Sequence, residues 1–96
     1  MKMLVLSRML PAASPEAVNS KLADEARGGW ELYKAGFIRE WYFRTDQPGV
    51  VLMIEAANME EARATLATSP LAQAGFIEFD VIPLGAYLPL ETLFAR

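Results

Sequence analysis

Arginine, glutamate and tyrosine crowd into the stretch GFIREWYFR, Gly36 to Arg44, where aromatic residues fill the remaining positions. A guanidinium is a planar fork that can grip a carboxylate through two hydrogen bonds. A glutamate can move a proton when burial brings its pKa towards neutrality, and a phenol can take part in the same transfer. These chemistries make Glu40 and Tyr42 candidates for acid/base work. Arg39 and Arg44, joined by Arg8 near the start of the chain, are the candidate anion binders. Trp41, with Trp30, Tyr33, Phe37 and Phe43, offers aromatic surface to a ring-shaped ligand, although core packing could also use it.

Glu55 is the third acid/base candidate. It lies within the apolar run VVLMIEAA, where an unpaired charge is expensive. It is expected either to pair with an arginine of a neighbouring strand or to be held protonated in a pocket. The arginines have structural readings as well: their stems can cover apolar surface, or they can pair across a subunit interface. Glu78 and Asp80 share one face of a strand and could face solvent or, less favourably, a hard cation. Neither a metal nor a cofactor is expected.

Composition narrows the remaining classes. A net charge of -3 and the lack of a Lys/Arg cluster argue against a nucleic-acid groove. The absence of histidine removes Ser-His-Asp triads and imidazole metal sites. With no cysteine there is no disulfide and no thiolate chemistry, which fits a reducing, cytoplasmic setting. The opening MKMLVLSRMLPAAS superficially resembles a signal peptide, but Arg8 interrupts its apolar run and it reads better as a strand. No apolar run reaches membrane-spanning length, so a soluble protein without a membrane partner is expected. A chain of 96 residues makes one domain, here 1–96, and 53% hydrophobic content is high for so small a body. Part of its surface should therefore be covered by another copy.

The elements that must position these residues follow from pattern. Lys2 to Leu10 reads as a strand. Ser14, Pro15 and Glu16 then start a helix whose stripe of Val18, Leu22, Ala26, Trp30 and Tyr33 runs to about Lys34. Gly28 and Gly29 are costly inside it, and mark either tolerated packing or a close approach by a ligand or second subunit. The next strand, Phe37 to Arg44, would place Phe37, Arg39, Trp41 and Phe43 on one face, with Ile38, Glu40, Tyr42 and Arg44 on the other. A turn-rich loop leads to a strand from Val50 to Ala57. Asn58 caps a second helix with Met59, Ala62, Leu66 and Ala67 inward, ended by Ser69-Pro70. Leu71 to Gly75 reads as a connection, and Phe76 to Leu84 as the fourth strand. An apolar tail from about residue 85 carries Tyr87, Leu88, Leu90, Leu93 and Phe94. It should dock on its own domain or reach over a neighbour.

The order β-α-β followed by β-α-β predicts an α+β, ferredoxin-like domain: an antiparallel sheet with two helices on one face. The segments LADE (Leu22 to Glu25), ELYKAGFIREWYFR (Glu31 to Arg44) and LATSPLAQAGFIEFDVIPL (Leu66 to Leu84) resemble the muconolactone isomerase-like group. That resemblance implies a subunit whose sheet pairs with a second copy into a dimeric α/β barrel, often within a larger assembly. It also implies a small-molecule ligand and cofactor-independent isomerisation by proton transfer. The sequence departs from the group at Glu40, where members tend to carry a histidine after the strand arginine. Two other functions remain open: a non-catalytic binding or assembly module in which the same charges fix subunit register, and, with less to favour it, a cofactor-free monooxygenase using Trp41 and Tyr42.

Overall fold

Alternation along the first strand decides which way the domain faces. In β1 (Lys2–Met9), Met3, Val5 and Ser7 are buried, while Lys2, Leu4, Leu6 and Arg8 lie on the opposite, less covered face. The structure, a computed structural model, describes residues 1–95. β1 pairs antiparallel with β3 (Val50–Glu55) on one side and with β4 (Ile77–Pro83) on the other, and β2 (Ile38–Phe43) pairs with the outer side of β3. The strand order β2-β3-β1-β4 is the ferredoxin-like order expected from the element sequence. Both β2 and β4 are edge strands.

Helices cover one face only. Met3, Val5, Leu52 and Ile54 form the main core with Phe37, Ile38, Ala56, Ala62 and Leu66, while Val18, Leu71 and Ile77 make a smaller cluster beside it. α3 (Met59–Leu66) contributes Ala62 and Leu66, and starts with reciprocal caps. Asn58 Oδ1 accepts from the Glu61 amide at 2.8 Å, and Glu61 accepts from the Ala57 amide at 2.9 Å. The uncovered face carries Leu4, Leu6, Val51, Met53 and Ile82 at its centre, in cross-strand register.

The single helix expected from Ser14 to Lys34 is two helices, α1 (Pro15–Asn19) and α2 (Leu22–Lys34). The Ser20 hydroxyl donates to the Ala17 carbonyl at 2.7 Å, giving the backbone a local alternative at the break. The break changes which face of α2 looks inward. Leu22, Trp30 and Tyr33, expected on the core side, are exposed, and no residue of α2 is fully buried. Its inner line is Glu25, Gly29 and Leu32. The segment after Ser69 is also more regular than a connection: Ser69 caps the short helix α4 (Pro70–Gln73), which buries Leu71.

The buried Ser7 hydroxyl accepts from the Val50 amide at 2.8 Å, extending the tie between β1 and β3 beyond their last ladder pair at Leu6 and Val51. Gly49, at φ +146°, passes so close that a Cβ there would lie 2.9 Å from the Ser7 carbonyl oxygen. The core itself is dense around Ile54, which is fully buried. Ile54→Ala is expected to lower unfolding free energy by about 2–5 kcal/mol, read from urea denaturation with an unchanged slope.

Candidate functional site

Side chains on a regular strand alternate faces, but β2 is interrupted. Ile38 is opposite Ile54 and Glu40 is opposite Met53, so Arg39 is an extra residue without a partner, a β-bulge. Beyond it the faces are exchanged. Ile38, Trp41 and Phe43 share the helix side, and Glu40 and Tyr42 share the open side. The strict alternation expected from the sequence is therefore corrected at Arg39, which lies in the bulge. Arg44 lies past the end of β2, in the hairpin.

Freed from the ladder, the Arg39 side chain turns back along the chain, and its Nε donates to the Gly36 carbonyl at 2.6 Å. Among the described residues no carboxylate lies within ion-pairing distance of it. Its terminal nitrogens remain available. Arg39 and Glu55 both line an open groove of about 560 Å3, together with Met1, Phe37, Ala57 and Glu61, at the end of the sheet where β2 begins and β3 ends. The groove is shallow and open to solvent.

Glu55 takes neither of its expected forms. It pairs with the terminal ammonium of Met1 at 3.0 Å, not with an arginine, and its side chain is about one-third exposed. The hydrogen bond from that ammonium is the main cause holding its carboxyl below the ordinary glutamate value, and the charges of Arg39 and Lys2 add to it. Glu55 is thus a carboxylate at neutral pH.

The other candidates are distributed elsewhere. The Tyr42 hydroxyl donates to Glu40 at 2.8 Å, and that bond with the adjacent negative charge raises the Tyr42 pKa. This pair borders the apolar open face, beside Val51 and Met53. Trp41 is on the other side of the sheet, stacked on Tyr33 with ring centroids 5.0 Å apart; Tyr33 stacks in turn on Trp30 at 5.6 Å. Trp41 and Tyr42 therefore cannot line one pocket of this subunit, which removes the geometric basis for pairing them in an oxygenase site. Arg44 makes two bonds to Asp46, at 3.0 and 2.7 Å. Arg8 binds Glu78 and reaches Asp80 at 2.8 Å, so these two acids serve a guanidinium.

Gly29 has a packing explanation within the chain: a Cβ there would sit 3.2 Å from the Trp41 ring. Gly28 has open space around it, and both glycines border a cavity of about 60 Å3 under α2. Glu25, at the same cavity, accepts from the Ser69 hydroxyl at 2.7 Å and from the Leu71 amide at 3.1 Å, tying α2 to the start of α4. The roles of Gly36, Glu25 and the chain terminus carried no sequence signal, because each depends on a carbonyl, a helix end or an ammonium brought close only by folding.

The fold matches those of known structures. One match, with a TM-score of 0.74, is 5-chloro-2-hydroxyhydroquinone dehydrochlorinase from Burkholderia phenoliruptrix AC1100 in complex with 2,5-dihydroxybenzoquinone, 19% identical over 93% of this chain and 98% of that one. Another, also at 0.74, is muconolactone isomerase, 20% identical over 91% of each chain. The chain has the muconolactone isomerase fold. The resemblance read from the residues thus holds for the fold of nearly the whole chain. No protein-family model and no curated protein matches the sequence.

Two outcomes follow from the local geometry. Gly28→Ala should raise stability by about 0.5–1 kcal/mol through helix propensity. Gly29→Ala should gain less or lose, because the Trp41 ring must shift, and the two are compared by thermal melts with tryptophan emission. For Glu55, a folded pKa below the unfolded one gives stability that is present above about pH 4.5 and is lost as pH falls through the folded value. The decline in melting temperature between pH 7 and pH 3 should be shallower in Glu55→Gln than in the wild type.

Proposed function

We propose that this protein binds a small anionic ring compound in the groove at Arg39 and Glu55 and acts on it by cofactor-independent proton transfer. The observation that carries this reading is the state of the arginines. Of the three expected to hold an anion, Arg8 and Arg44 are engaged by acids of their own chain, and Arg39 keeps its terminal nitrogens free at the wall of a groove. The Gly36 carbonyl holds Nε, so the outward edge of the fork is oriented before a ligand arrives.

In this reading Arg39 binds the ligand's carboxylate or phenolate. Glu55, ionised at neutral pH, receives a proton from an acidic carbon and returns it to another carbon of the same molecule. A low pKa makes it a weak base, suited to a C–H activated by a neighbouring carbonyl. The known structures of this fold lend the substrate class: one is named for a lactone, and the other holds a dihydroxybenzoquinone. The open face of the sheet, apolar at Leu4, Leu6, Val51, Met53 and Ile82, is the surface through which a homodimer or larger homo-oligomer would form. Burial there would place Glu40 and Tyr42 at the contact. No helix among the described residues is long and apolar enough to cross a membrane.

A second reading, a non-catalytic assembly module, is favoured by one observation: Glu55 and Arg8 bind groups of their own chain far apart in sequence and tie its strands together, and Arg44 is held within its own hairpin. Calorimetry with 2,5-dihydroxybenzoquinone and a carboxylated lactone separates the two. The site reading expects binding by the wild type, about 10–100-fold weaker binding by Arg39→Ala at unchanged subunit mass, and loss of ligand proton exchange with D2O in Glu55→Gln. Undiminished binding by Arg39→Ala, or dissociation of the assembly in that variant, contradicts it.

A further inference from the structure

Two side chains border two spaces at once. Leu32 on α2 and Thr65 on α3 line the open groove at Arg39, and the same two residues line the cavity of about 60 Å3 beneath α2. The groove and the cavity are therefore neighbours, parted by Leu32 and Thr65. That partition is lightly held. α2 rests mainly on β2 and α4, it buries no residue fully, and Leu32 itself is half-buried.

The cavity differs in character from the groove. Its walls are apolar at Leu32, Ile38, Leu52, Leu66 and Phe79, and at Gly28 and Gly29 the helix presents backbone in place of side chains. Glu25 is the acid in this wall. Its carboxyl oxygens accept from the Ser69 hydroxyl at 2.7 and 2.9 Å, and one of them also accepts from the Leu71 amide at 3.1 Å. One hydroxyl hydrogen and one amide hydrogen do not exhaust the acceptor sites of a carboxyl group. Among the described residues no lysine or arginine lies within ion-pairing distance of Glu25.

Size decides what such a space can take. A volume of 60 Å3 is about that of two waters in the liquid, which is too little for a ring and enough for a group of two or three heavy atoms. The groove has the opposite limitation: it admits a ring but leaves it open to solvent, whereas small-molecule sites bury most of their ligand.

We infer that the cavity beneath α2 is the inner pocket of the groove, taking a short side group of the ring compound held at Arg39. The group enters between Leu32 and Thr65, and its terminal hydroxyl or amine donates to Glu25. This rests on the groove reading above and narrows its ligand to an anionic ring bearing a short arm that ends in a hydrogen-bond donor. Leu32 and Thr65 set the width of the passage, and Glu25 selects the end of the arm.

The test follows the Ile and Leu methyl signals of the full 13C-labelled chain by NMR. Ile38 and Leu52 line the cavity and not the groove, while Gly36 and Arg39 line the groove and not the cavity. Benzoate should shift Gly36 and Arg39 amides alone. At least one of meta- and para-hydroxymethylbenzoate should shift Ile38 and Leu52 as well, and bind about 10-fold tighter than benzoate. Thr65→Leu, which narrows the passage, should weaken the hydroxymethyl compound several-fold more than benzoate. Glu25→Ala, with its fold checked by far-UV circular dichroism, should erase the preference for hydroxymethyl over an ethyl group of the same size. Xenon under pressure reads the cavity with no anion present and should shift Ile38 and Leu52. Groove shifts with every benzoate but cavity shifts with none overturn the inner pocket and leave the groove reading standing, as does a cavity that xenon does not enter. Benzoates that move neither set overturn the groove reading and the inner pocket with it.

Discussion

Because side chains alternate along a strand, one residue inserted without a partner transfers everything beyond it to the other face. In β2 that residue is Arg39. Before it, Ile38 points into the core opposite Ile54; after it, Trp41 and Phe43 return to the helix side, and Glu40 and Tyr42 reach the open side. Without the bulge, Trp41 would face away from α2 and lose its stack on Tyr33. Glu40 and Tyr42 would be pushed towards the helices, where a carboxylate would need a partner. The extra residue also frees Arg39 from the ladder and leaves its fork at the groove mouth. One irregularity thus sets the aromatic strip, the polar edge of the open face and the proposed anion site.

The electrostatics sort the charged residues by what they are already doing. Arg8 and Arg44 are held by acids close in the fold, and such exposed pairs contribute little to stability. Their effect is to occupy those guanidiniums. Arg39 bonds a neutral carbonyl and keeps its charge uncompensated at close range. Glu55, drawn to the ammonium of Met1, stays ionised beside it. Opposite charges that share a groove without bonding each other leave room for a ligand that bonds both.

Much of the fold was legible because it rests on local rules. Asn58 and Ser14 act as caps as read, with bonds to the Glu61 and Ala17 amides. The four strands fall within about two residues of their expected ends, and the ferredoxin-like order follows from the sequence of elements. The faces were harder. The stripe Leu22, Ala26, Trp30 and Tyr33 has helical spacing, but spacing shows only that a stripe exists, not whether it meets its own core or another surface. In β2 the signal was present and misread: Ile38, Trp41 and Phe43 are separated by three and then two residues, the spacing of a strand with a bulge. Glu55 shows a different limit. Its apolar surroundings flagged a paired charge, yet the partner was the chain's own ammonium, fifty-four positions away in sequence and brought close only by the pairing of β1 with β3.

Everything proposed for the groove depends on an anionic ring compound binding at Arg39 and Glu55. It is tested most directly by a two-dimensional amide NMR titration of the 15N-labelled protein with 2,5-dihydroxybenzoquinone. Saturable shifts are expected at Gly36, Phe37, Arg39, Glu55 and Ala57, with the Arg39 Nε resonance moving among them. Shifts confined to Tyr42, Val51 and Met53 on the open face, or to the cavity beneath Gly28, would place the ligand elsewhere and contradict it.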